Sequence, residues 1–146
     1  MLFRSRLMDE YNRLGQYDKA LAATDAALAA DSTSQLFLLA KSTVLLRMKR
    51  YEQSVACSQR LLALNDTLAE ASYNAATAYM NMALKLDPRK EKKQLKSLYQ
   101  KARTYMERYR SLAPDEREKW APALYRIYLN LNMGRQFDEI DRLLKQ

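Results

Sequence analysis

Apolar positions fall along the chain at helical spacing, separated by polar faces, and the pattern returns every 34 residues. Tyr17, Leu21, Leu28 and Asp31 recur as Tyr51, Val55, Leu62 and Asn65, and Ala20 recurs as Ser54. Tyr11 is followed at the same step by Leu45 and then Tyr79. Beyond Tyr79 the step fails. The next Tyr-x-x-Ala signal, Tyr99 with Ala102, lies 48 residues past Tyr51, so about fourteen residues are inserted near residues 82–96. Within them Leu86-Asp87-Pro88 stops one helix, and Pro88 or Arg89 opens the next. A last unit reads Leu124, Ile127, Tyr128 and Leu131, then Gly134, Phe137, Ile140 and Leu144. The pattern predicts eight helices, over residues 3–14, 17–30, 34–48, 51–64, 68–85, 89–112, 121–133 and 136–145, with the two that flank the insertion longer than the rest.

Two helices of a hairpin approach closely only where small residues meet. Ala20, Ala27, Ser54, Ala75, Ala76 and Ala102 supply such positions, and Tyr11, Leu28, Leu45, Leu62, Tyr79 and Met106 supply the bulk beside them. One hairpin leaves an apolar face that only a neighbouring hairpin covers, so the units must stack. Gly15 and Gly134 each precede an aromatic residue where a first helix turns back, and positive φ is expected at both. The second hairpin turns at Met48-Lys49-Arg50 without glycine, where a differently shaped turn is expected. With only two glycines and three prolines, the chain offers few of the turns a sheet requires.

The segment Leu14-Gly15-Gln16-Tyr17-Asp18-Lys19-Ala20-Leu21, with Ala27-Leu28 and Asp31-Ser32, resembles the second half of a tetratricopeptide repeat (TPR). Ala69-Glu70-Ala71-Ser72-Tyr73-Asn74-Ala75-Ala76-Thr77-Ala78-Tyr79 resembles the first helix of a later repeat, with Ser72 where the family usually has tryptophan. Met8 likewise stands where a small residue is usual. The likeness to TPR domains, of the bacterial type, is close over residues 1–80 and looser beyond. It implies an all-α, right-handed α-solenoid of stacked antiparallel helix hairpins, about three and a half to four repeats in one domain. The repeats would span residues 1–34, 35–68, 69–116 with the insertion, and 117–146, giving an elongated third hairpin.

Such arrays usually hold an extended peptide in a concave groove lined by their first helices. By register the resemblance assigns that surface to Arg6, Asp9, Arg13, Leu39, Thr43, Arg47, Tyr73, Asn74, Thr77, Asn81, Tyr125, Arg126 and Leu129. Some family members clamp a terminal carboxylate there with lysine and asparagine. Ser5, Asp9, Ala40 and Thr43 occupy those sites, so that clamp is not expected. With Leu36, Leu39 and Leu46 as an apolar middle, the surface would suit a peptide whose apolar side chains enter and whose backbone or acidic groups meet Arg47, Asn74, Asn81 and Arg126. The alternative is that Leu36 and Leu39 pack on the preceding hairpin and the polar residues only face water.

Charge changes this picture locally. Of the net +8, a balance of +7 lies between Lys85 and Arg110, where ten cationic residues face Asp87, Glu91 and Glu107. Arg89, Lys90, Lys92, Lys93, Lys96, Lys101 and Arg103 are the candidate basic patch, interleaved with Tyr99, Tyr105 and Tyr109. Cations mixed with stacking rings suit a nucleic acid, although tyrosines at this spacing also serve helix packing and a lysine run also serves solvation. An acidic protein surface or a membrane face could use the same charge.

Chemistry is poorly supplied. Histidine is absent and Cys57 is the only cysteine, so neither an intramolecular disulfide nor a Cys/His metal site can form. No motif gives a serine or Cys57 a base, and no Gly-rich phosphate loop is present. Asp9 and Glu10, or Asp138, Glu139 and Asp141, suit capping or solvation. The expectation is a non-enzyme without cofactor or metal: a scaffold for a protein or peptide of unspecified identity, or else a regulatory or sensor domain. No signal or membrane span is read in this chain, and the compartment is left open. The first repeat begins at residue 1 without a polar helix shielding its edge, which suggests a portion of a longer protein or an array that self-associates.

Overall fold

The computed structural model describes residues 6, 7, 9 and 15–146. Arg13 and Tyr11 lie outside the described residues. Arg6, Leu7 and Asp9 are helical, and seven helices follow: α1 (Tyr17–Ala30), α2 (Gln35–Arg47), α3 (Tyr51–Leu64), α4 (Ala69–Leu84), α5 (Lys92–Leu112), α6 (Arg117–Asn130) and α7 (Gly134–Leu144). No strand occurs among the described residues. Of these seven, the helices flanking the insertion are the longest, 16 residues in α4 and 21 in α5. By contact the chain divides into two compact units, Met1–Asn74 and Ala75–Gln146, so the boundary falls within α4.

In the first unit the 34-residue period reaches down to single hydrogen bonds. The Asp31 carboxylate accepts from the Thr33 amide (3.2 Å) and hydroxyl (3.1 Å), and 34 residues later the Asn65 side-chain oxygen accepts from the Thr67 amide (3.1 Å) and hydroxyl (2.7 Å). Each pair closes the loop after a helix by the same Asx turn. The helix starts match as well, with Gln16 at φ −90° and Arg50 at φ −92°. At α2 the start is anchored differently, because the Ser34 hydroxyl accepts from the Phe37 amide.

The turns between paired helices correct two expectations. Lys49 takes φ 63°, in the same left-handed region as Gly15 at 75°, so the glycine-free turn keeps the ordinary conformation. Its backbone bonds, Lys49 N–H to Leu46 O and Arg50 N–H to Leu45 O, form a Schellman closure. Gly134 does not take positive φ. Asn132 does, at 56°, with Asn132 N–H to Leu129 O and Met133 N–H to Tyr128 O repeating the closure, and Gly134 simply opens α7. Asparagine tolerates that conformation through its short polar side chain, whereas lysine is strained there. Lys49→Gly is therefore expected to stabilise the chain by about 1 kcal/mol, read as a rise of a few degrees in melting temperature.

Other boundaries shifted for local reasons. The Asp87 carbonyl accepts from both Lys90 and Glu91 amides, and this turn delays the expected start at 89 until Lys92. The last hairpin's first helix starts at Arg117, earlier than 121, which puts Pro122 in its sixth position and removes one backbone bond. Trp120 compensates by packing: it is buried, its indole N–H donates to Pro114 O (3.2 Å), and the Arg110 guanidinium sits 4.4 Å from its ring. Arg110 also pairs with Glu139 of α7 (2.9 Å), and Arg117 donates to Leu143 O, so the short final helix is tied at two places.

The small residues of the helix crossings are all buried: Ala20, Ala27, Ser54, Ala75, Ala76 and Ala102. Leu45, Tyr79 and Met106 are buried beside them, and Leu28 and Leu62 are half-buried. The Ser58 and Ser72 hydroxyls are buried without a hydrogen-bond partner in the protein.

Candidate functional site

The first-helix residues assigned by register divide by what they touch. Arg6 and Asp9 are exposed. On α2, Arg47 is exposed in the last turn and Leu36 is 50% exposed, while Leu39 packs half-buried against the core formed by Leu38, Leu61 and Ala71. Thr43 and Asn74 come together below the surface. The Asn74 amide, 7% exposed, donates to Ser42 Oγ (2.8 Å) and Thr43 Oγ1 (3.1 Å), and both hydroxyls donate onward to Leu39 O. Ser54 Oγ of α3 donates to Ser42 O (2.7 Å), so one polar network joins α2, α3 and the start of α4. On α4, Tyr73, Thr77 and Asn81 are half-buried.

In the second unit, Tyr125, Arg126 and Leu129 line a cleft of about 520 Å³ along α6. Its opposite wall is the elongated hairpin: Leu84 at the end of α4, Leu86 and Pro88 in the turn, and Leu95 of α5. Tyr99 forms a buried part of the lining, and burial pushes its phenol pKa up while the nearby Arg126 charge draws it partly back. Leu84 is 57% exposed and Leu129 54%, large apolar side chains in the open on either side. A smaller hollow of about 260 Å³ shares Leu95 and Asn130 with the cleft and adds Lys92 and Lys96. The wall is preset by its own turn, because the Asp87 carboxylate accepts from the Arg89 amide (2.9 Å) and Pro88 has its φ fixed by its ring.

The basic residues separate in the same way. Arg89, Lys90, Lys92, Lys93 and Lys96 are exposed at the insertion and the start of α5. Lys101 instead lies 5.7 Å over the Tyr79 ring, which stacks on Tyr105 at 5.9 Å, and Arg103 pairs with Glu107 at 3.2 Å. Glu107 also accepts from the Tyr128 hydroxyl (2.6 Å), and burial together with that carboxylate holds the Tyr128 phenol far above its usual pKa. Tyr99 and Tyr109 are buried in the core, so two of the three interleaved rings offer no face to a base.

No other chemistry gathers. Among the described residues no group of three His, Cys, Asp or Glu could hold a metal ion, and no helix is long and apolar enough to cross a membrane. Burial pushes the Cys57 thiol up in pKa, against the opposing pull of Lys41, and so keeps it protonated.

No family model matches the sequence, and no curated protein matches it either. Solved structures do. A thermophilic TPR protein of Thermus thermophilus superposes with a TM-score of 0.75 at 17% identity, covering 99% of this chain and 71% of that one. MamA from Desulfovibrio magneticus gives 0.75 at 18% identity, over 97% of this chain and 74% of that one. The first TPR of Spaghetti (RPAP3), solved with a bound HSP90 peptide, gives 0.65 at 16% identity, over 99% and 93%. These likenesses, over nearly the whole chain and with its internal period, establish the architecture. The chain has the fold of the tetratricopeptide-repeat proteins, an all-α solenoid of helix hairpins.

Proposed function

We infer that the chain is a non-catalytic interaction module that holds a protein or peptide partner on the first helices of its hairpins, α2, α4 and α6. The observation that carries this reading is the cleft along α6, a preset apolar space with exposed leucines on both sides. A concave, largely apolar pocket with a few polar groups at its rim is the usual form of a binding site. One fold neighbour holds a peptide, which gives the same reading independent support. The absence of histidine and the protonated state of Cys57 favour binding over catalysis. Asn74 and Thr43 enter as residues that hold the surface in place, because their polar groups already bond within the protein.

The test is affinity capture from the native cell with the wild-type chain and with Arg47→Glu/Arg126→Glu, both sites being exposed. At least one protein is expected on the wild type and missing from the variant, at equal helicity and melting temperature. Capture of an identical set by both would contradict the first-helix assignment.

A further inference from the structure

We propose that the cleft built by the elongated third hairpin receives a bulky apolar side chain from an acidic peptide segment, with Lys92, Lys96 and Arg126 meeting the carboxylates around it. This deepens the interaction-module reading and rests on it. Three observations carry it. The cleft, about 520 Å³, is large enough for an aromatic or branched side chain, and Leu84, Leu95 and Leu129 give it apolar walls. Lys92 and Lys96 lie in the adjoining hollow and Arg126 in the cleft itself, and none of the three has a carboxylate partner among the described residues.

The third observation is electrostatic. The first turn of α5 carries Lys92 and Lys93 directly after Glu91 at the N-cap, whose carboxylate caps no backbone N–H, at the end of the helix where backbone N–H groups already concentrate positive potential. Cations in that place destabilise the helix end, and a bound carboxylate relieves the repulsion. Exposed Arg89, Lys90 and Lys93, next in sequence to the lining residues Pro88 and Lys92, add to that field. Nucleic acid is the weaker match, because a row of bases needs exposed rings and Tyr99 and Tyr109 are buried. An acidic peptide needs only one apolar side chain for the cleft and charge beside it.

The probe is a fluorescein-labelled oligoglutamate peptide with one central phenylalanine, titrated by anisotropy against the whole chain. Replacing the phenylalanine by serine, or replacing Leu129→Ser in the protein, is expected to weaken binding by about tenfold. Lys92→Glu/Lys96→Glu is expected to weaken it at least as much and to flatten its dependence on salt. All substituted protein positions are exposed, and circular dichroism is to show each variant as helical as the wild type before its affinity is compared. Equal affinity for the serine peptide, unchanged binding by the lysine variant, or equally tight binding of a single-stranded oligonucleotide would each overturn the proposal, as would failure of the phenylalanine peptide to bind at all. If Arg47→Glu alone abolishes binding while Leu129→Ser does not, the cleft is excluded and the first-helix reading survives. If the cell-capture experiment finds no partner, that broader reading fails separately.

Discussion

Leu61→Ala should lower the stability of the chain by about 3 kcal/mol, a fall of roughly 10 °C in melting temperature. Leu61 is fully buried, clustered with Leu38 of α2 and Ala71 of α4, and Leu28, Leu39, Leu62 and Leu68 pack around them. Truncation removes most of the side chain from a place that several helices enclose, so collapse cannot fill the gap and the cavity adds to the lost transfer energy. Leu64 is the control, three positions along the same helix but 43% exposed. Leu64→Ala is expected to cost no more than about 0.5 kcal/mol. Similar losses in the two variants, followed by thermal or urea melts, would mean that the buried face of α3 has been assigned wrongly.

Asn74→Ala should cost about 2 kcal/mol, and Asn74→Asp more. The alanine variant removes two donated bonds and leaves Ser42 Oγ, fully buried, without the donor it now accepts from. In the aspartate variant a carboxylate replaces the donating amide, and the Ser42 and Thr43 hydroxyls can serve it only by giving up Leu39 O. Because the network also takes in Ser54 of α3, the loss spreads over three helices. Any failure of these variants to bind a partner must therefore be compared with their folded fraction. Equal stability of wild type and Asn74→Ala would show that the network contributes nothing.

What the sequence displays well is anything that repeats. Asp31 and Asn65, or Ala20 and Ser54, are related by a step that can be counted, and the structure gives each pair matching surroundings. What it displays poorly depends on which of two chemically acceptable residues does a job. Glycine marks a left-handed turn at Gly15, yet Lys49 and Asn132 take the same conformation and Gly134 does not need it. Asn74 lies on a first-helix face by period, but only the positions of Ser42 and Thr43 show that its amide is already engaged.

The candidate site follows the same division. Register named Tyr125, Arg126 and Leu129, and charge named Lys92 and Lys96, whereas nothing in the pattern singles out Leu84 or Leu95, and Leu86 reads only as part of a helix stop. Their lining role arises because the insertion extends α4 and α5 beyond the usual hairpin length, and a count of inserted residues does not show which side chains then face open space. The broken period near residues 82–96 was the available signal, legible as extra length but not as a wall.

The most direct measurement is amide hydrogen exchange of the chain, free and with a partner captured from the native cell. Slower exchange is predicted in α2, α4 and α6 and in residues 85–96. Protection confined to α1, α3 and α7, with those segments unchanged, would contradict an interaction module that works through its first helices.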